Sequence, residues 1–153
     1  MLHDAWDPER RTLRGTLDGG DPWLDTAVLL LPAFGFLPAD DPRMLGTVRR
    51  IREELGDGGL LRRSSAADDG DTAFLICSGW LADCHARAGE LDRAEAVLDE
   101  LAGCATDLGL LAERAQFRTR APAGNFPQAL SHVGLVNASS TVRLEEEARA
   151  AAA

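Results

Sequence analysis

The segment GLLAERAQFRTRAPAGNFPQALSHVGLVN, residues 109–137, holds one carboxylate, Glu113, at the end of an apolar run that includes Leu108, Leu110, Leu111 and Ala112. A loop of Arg, Thr, Pro and Gly follows. Gly124-Asn125-Phe126-Pro127-Gln128 then opens a second apolar run that carries His132. An acid at the end of a buried segment is held in place and still reaches solvent, and a catalytic carboxylate needs both conditions. Position alone describes a surface acid in a connector equally well.

Outward from this segment the chain reads as helices. An apolar helix is expected over 24–34, interrupted at Pro32. Asp40 or Asp41 should cap a second helix with Pro42 in its first turn, where the missing N–H costs nothing. Its apolar stripe is Leu45, Val48, Ile51 and Leu55, and it stops at the Gly56-Asp57-Gly58-Gly59 turn. Residues 60–70 read as a loop running from basic Arg62-Arg63 to acidic Asp68-Asp69. A third helix over 71–88, capped by Asp71, is apolar around most of its circumference and ends at Gly89. A fourth over 91–107 has one stripe of Ala94, Val97, Leu98, Leu101, Ala102 and Ala105, and a fifth runs from about 127 to 137.

Helices one, three and five are apolar on most faces, whereas two and four are amphipathic. Short connections make neighbours antiparallel. The pattern fits an all-α domain over 23–138 in which about five helices form inner and outer pairs. Residues 1–22 are expected to be irregular, and 139–153 a frayed acidic and Ala-rich tail.

Composition narrows the function. Of 153 residues 45% are hydrophobic and 27% charged, which supports one folded domain. With 16 Lys plus Arg against 25 Asp plus Glu, the net charge of −9 repels phosphate backbones and anionic lipid, so neither nucleic acid nor membrane is an expected partner. Cys77, Cys84 and Cys104 form no CxxC, and His3, His85 and His132 have no ligand spacing, so no metal and no cofactor is expected. The thiols read as core filling in a reducing, cytoplasmic setting. MLHDAWDPER has no apolar signal region, and the run Ala27–Leu31 is far short of a membrane span.

Several stretches in one order are similar to a known family. These are Trp6-Asp7-Pro8, LDTAVLLLPAFGFLPADDPR (24–43), AFLICSGWL (73–81), GLLAE (109–113) and GNFPQALSH (124–132). Together they resemble the C-terminal part of the catalytic domain of glycoside hydrolase family 15, which contains glucoamylases, glucodextranases and bacterial trehalases. The resemblance implies an (α/α)₆ barrel, of which five helices are the last part, so the chain looks like a fragment. It also implies inverting cleavage of an α-glucosidic bond in an α-1,4-glucan or trehalose, with two carboxyls about 6.5–9.5 Å apart. The family's general base falls on Glu113. Its acid lies in a Trp-Glu motif, and here the three tryptophans precede Asp7, Leu24 and Leu81. A chain with the base and without the acid is expected to be inactive alone, and either to self-associate or to dock onto an N-terminal barrel piece.

Candidate sugar contacts are Asp25, Asp71, Trp80, Asn125, Gln128 and His132. All but Gln128 have a plainer role: helix-end acid for Asp25 and Asp71, core ring for Trp80, turn residue for Asn125 and hydrogen-bonded core histidine for His132. Gly79 stands where the family has an aromatic residue, which suggests a lost pocket wall. A second function class is kept by residues 79–104, which read like one helical hairpin of a tetratricopeptide-type binding scaffold. Such arrays need about three stacked repeats, and no second copy lies at a fixed period.

Overall fold

The computed structural model describes residues 2–17, 23–67 and 70–152. The readings made for residues 18–22 and for Asp68-Asp69 lie outside the described residues. The chain starts with a single turn, α1 (Leu2–Ala5), and a hairpin of β1 (Trp6–Asp7) and β2 (Thr12–Leu13), where irregular coil was expected. The Asp7 carboxylate makes that turn, accepting from the amides of Glu9 and Arg10 at 3.0 Å each.

The expected helix over 24–34 is replaced by a five-residue 3₁₀ turn, η1 (Thr26–Leu30). Pro32 is the reason. It has no N–H to bond back into an α-helix, so the segment tightens to i→i+3 bonds such as the Leu31 amide to the Val28 carbonyl, 3.1 Å. The second helix, α2 (Pro42–Leu55), starts as expected. Asp41 caps it by accepting from the Arg43 amide at 2.9 Å, and the Arg43 guanidinium bonded to the same carboxylate holds its pKa down at about 2. The buried stripe is Met44, Val48, Ile51 and Leu55, while Leu45 is 40% exposed, a correction of one residue at the first position. The Leu13 amide donates to the Thr47 hydroxyl at 2.9 Å and pins the N-terminal hairpin to this helix.

β3 (Gly56–Asp57) and β4 (Leu60–Leu61) form a hairpin turned by Gly58 at φ +65°, so both leucines of the expected loop are core. Next comes β5 (Thr72–Phe74), and α3 (Leu75–Arg87) begins after it. Asp71 therefore caps no helix; it is exposed, four residues before α3, because pairing of β5 holds this stretch extended. Eleven of the thirteen α3 residues are buried, which agrees with its apolar circumference. After Gly89 at φ +77°, α4 (Leu91–Ala102) buries Leu91, Ala94, Val97 and Leu101, and it stops at Gly103, short of residue 107.

β6 (Arg114–Gln116) pairs with β5 and with β7 (Pro122–Ala123) where a loop was expected. The last helix, α5 (Ala129–Ala151), runs through the presumed frayed tail. Ala, Glu and Arg are strong helix formers, an Arg143–Glu147 pair at 2.6 Å supports the exposed face, and Ala138, Thr141 and Val142 are buried. Among the described residues no helix is long and apolar enough to cross a membrane.

α3 packs against both α4 and α5. The α3–α5 approach depends on glycine: a Cβ on Gly79 would lie 2.7 Å from the Gly134 carbonyl carbon. Gly79 is thus a point of backbone contact between helices, and it also lines a cavity of about 300 Å³ together with Ile76 and Trp80. The three thiols are buried, as expected of core filling.

Candidate active site

Glu113 follows buried Leu111 and Ala112 and is itself half-buried. Five hydrogen bonds clamp residues 111–113. The Leu111 amide donates to His132 Nε2 at 3.2 Å, and the Leu111 carbonyl accepts from the Gln128 amide at 2.8 Å. The Ala112 carbonyl accepts from the buried Ser131 hydroxyl at 2.7 Å. The Glu113 amide donates to the Asn125 carbonyl at 2.8 Å, and the Glu113 carbonyl accepts from the Leu75 amide at 3.0 Å. The last bond uses the first residue of α3, one of the amides a helix leaves unpaired at its N-terminus. Glu113 is thereby seated between the N-terminal ends of α3 and α5, and those helix dipoles favour a negative charge there.

The carboxylate is held on one side only. Oε2 accepts from the Asn125 amide and from Asn125 Nδ2, both at 3.3 Å. Oε1 meets no donor among the described residues. Gly124 lets the loop approach this closely: its φ is +74°, and a Cβ there would stand 2.6 Å from Oε2. Arg114, next in the strand, lies over the Phe74 ring at 5.4 Å from its centroid.

The candidates fall into two groups. Asn125, Gln128 and His132 gather around Glu113. The His132 ring is fully engaged by backbone: with Nε2 accepting from Leu111, the ring proton sits on Nδ1, 2.8 Å from the Gln128 carbonyl. Gln128 contributes its backbone to this clamp as the residue before α5. Asp25 and Trp80 belong to a second group joined by Arg63, which forms an ion pair with the Asp25 carboxylate and lies 5.5 Å from the Trp80 ring centroid. Asp25 also caps η1, accepting from the Ala27 amide at 2.7 Å. Trp80 is half-buried and lines a cavity of about 300 Å³ with Ile76, Asp83, Val133, Asn137 and Thr141. Asp71 joins neither group; its carbonyl accepts from the Phe117 amide at 3.3 Å. Leu75, Ser131 and Gly124 were not singled out from sequence. Of these only Gly124 left a signal, a glycine directly before the Asn that grips the acid.

α3 packed against both α4 and α5, with Glu113 at the N-terminal ends of α3 and α5, is consistent with part of a helical barrel. Comparison with solved structures agrees on the fold: a wild-type glycosidase superposes with a TM-score of 0.80 at 20% identity over 94% of this chain and 41% of its own. A variant of a glycosidase in complex with glucose superposes with a TM-score of 0.79. The model of the family Glycosyl hydrolases family 15 matches residues 2–140, and the chain belongs to that family. A trehalase of Mycolicibacterium smegmatis is 43% identical over 136 residues, 84% of this chain and 20% of the relative. A trehalase of Thermoplasma acidophilum is 37% identical over 131 residues, 83% of this chain and 22% of the relative. The chain thus spans about a fifth of the length of these curated relatives. The α3–α4 hairpin read above as a scaffold unit is one helix pair of this fold.

Proposed function

We propose that this chain supplies the general-base half of an inverting glycoside hydrolase site acting on an α-glucosidic bond, with Glu113 as the base. The observation that carries the reading is the asymmetric grip on its carboxylate. Asn125 holds Oε2, and open Oε1 is free to take a proton from a water as that water attacks the anomeric carbon. The leaving oxygen needs a proton from a second carboxyl on the opposite face, and the Trp-Glu motif that carries it in the family has no counterpart in this sequence. The chain alone is therefore inactive, and the acid comes from a further piece of barrel.

In this reading Asn125 positions the base, and the backbone at Gln128 with the His132 ring holds its strand. Trp80 and Asp25 flank the sugar from the second group. Trehalose is the favoured substrate, since the curated relatives are trehalases. Leu130, Val133 and Val136 on α5 and Phe34 beyond η1 are exposed and suit burial against further helices, by docking or by self-association. Three buried free thiols suit a reducing, cytoplasmic setting.

The test is turnover of trehalose and maltose by the chain alone and by a chimera. In the chimera residues 2–140 replace the matched part of the M. smegmatis trehalase. Expected are no turnover by the chain and hydrolysis of trehalose by the chimera. A chimera indifferent to Glu113→Gln would remove Glu113 from the mechanism. Turnover by the isolated chain would remove the half-site reading.

A further inference from the structure

A cavity of about 570 Å³ lies at the other end of α3. His85 in its wall is ten residues beyond Leu75, about 15 Å along the helix axis from the Glu113 end. Arg49, Arg52 and Glu53 of α2, Gly58 of the β3–β4 turn, and Glu90 and Arg93 at the start of α4 complete the polar lining.

Two features of this lining are unbalanced. In a chain with nine more acids than bases, Arg49 and Arg52 have no carboxylate partner among the described residues. Arg93 has one, in Glu90 at 2.6 Å, and Glu53 faces Arg50 at 3.8 Å. Secondly, His85 is buried, with a side chain 3% exposed, and only half its hydrogen bonding is met. Nδ1 lies 2.6 Å from Glu90 Oε2, while Nε2 is buried with no partner. A carboxylate only accepts, so the proton between them is on Nδ1 and Nε2 presents a lone pair. Burial disfavours a second proton on the ring and lowers its pKa, keeping Nε2 an acceptor.

The cavity therefore lacks two things at once: negative charge for the guanidiniums and an O–H or N–H for Nε2. A water meets the second need and leaves the first. Sulfate and simple carboxylates meet the first and leave the second. We infer that the cavity walled by Arg49, Arg52, Arg93 and His85 binds a small oxyanion that also carries an O–H group, hydrogen phosphate being the smallest of that class. The anionic oxygens take the exposed guanidiniums, and the O–H donates to His85 Nε2. A hydroxylated phosphate monoester has the same chemistry, and the cavity has room for it.

The full chain is titrated at matched ionic strength with inorganic phosphate, glucose 6-phosphate and sulfate, following heat release, thermal midpoint and the His85 ring resonances. Saturable binding of phosphate or of the ester is expected, with sulfate at least about tenfold weaker and only the hydroxylated ligands shifting the ring signals. The tighter of the two names the source. The double variant Arg49→Ala/Arg52→Ala alters only exposed side chains, so its unliganded thermal midpoint should stay near that of the parent chain while its affinity drops at least about tenfold. Absence of saturable binding, sulfate equal to phosphate, or unchanged affinity in the double variant overturns the proposal.

Discussion

The two ends of α3 treat a titratable group in opposite ways. At the N-terminal end Glu113 sits in backbone that is fully bonded, and only one carboxylate oxygen is left open, toward solvent. At the C-terminal end His85 is packed almost completely away from water, bonded through Nδ1 to Glu90, and its second nitrogen is left unmet inside the protein. An open atom at the surface is ready for chemistry because water already reaches it. An unmet atom in the interior destabilises the fold by about 1–3 kcal/mol until something binds it. The first end thus suits the proposed reaction and the second the proposed binding.

The comparison breaks first at Glu113. In the chimera Glu113→Gln should lower kcat about 10³-fold, the usual share of a general base, with little change in thermal midpoint. Gly79→Ala tests the seam that sets both ends in register. Its Cβ would meet the Gly134 backbone at 2.7 Å, where no flexible side chain can yield, and urea unfolding should show a loss of about 2–3 kcal/mol. Gly124→Ala sharpens the first end alone. The positive φ and the clash with Oε2 should destabilise by about 1–2 kcal/mol and, in the chimera, lower kcat more than they raise KM.

The smallest effect belongs to the second end and is a pH dependence. His85 has a folded pKa below its ordinary 6.5, mainly through burial, so folding favours the uncharged ring. The resulting stability is fully present above about 6.5 and is lost as pH falls through the folded value. Glu90 works against burial by favouring the charged ring. Glu90→Gln should extend this acid-side loss to lower pH, read from urea midpoints taken between about pH 8 and 5.

Legibility followed the range of the interactions. Asp41 with Pro42, the Gly89 break and the Ala94, Val97, Leu101 stripe were readable because a cap, a turn and a helical stripe each depend on residues only a few positions apart. Strand β5 was read as the start of a helix because its partner lies some forty residues on, at Arg114–Gln116, and local propensity does not register such a partner. Leu45 was misplaced by one position because Met44 is equally apolar, and only packing chose between them. Glu113 stood out through its motif. The hydroxyl of Ser131 and the amide of Leu75 did not, since a backbone bond leaves no mark on residue type.

The amino-acid order alone determined the family, the mainly helical fold and the acid worth watching, because hydrophobic periodicity and short motifs are local properties of a chain. The tertiary structure decided which oxygen of that acid is open, that Gly79 is a contact point, and that His85 faces a cavity rimmed by arginines. Each of these depends on segments far apart in the chain meeting within hydrogen-bonding or van der Waals distance, and that is settled only when the helices pack.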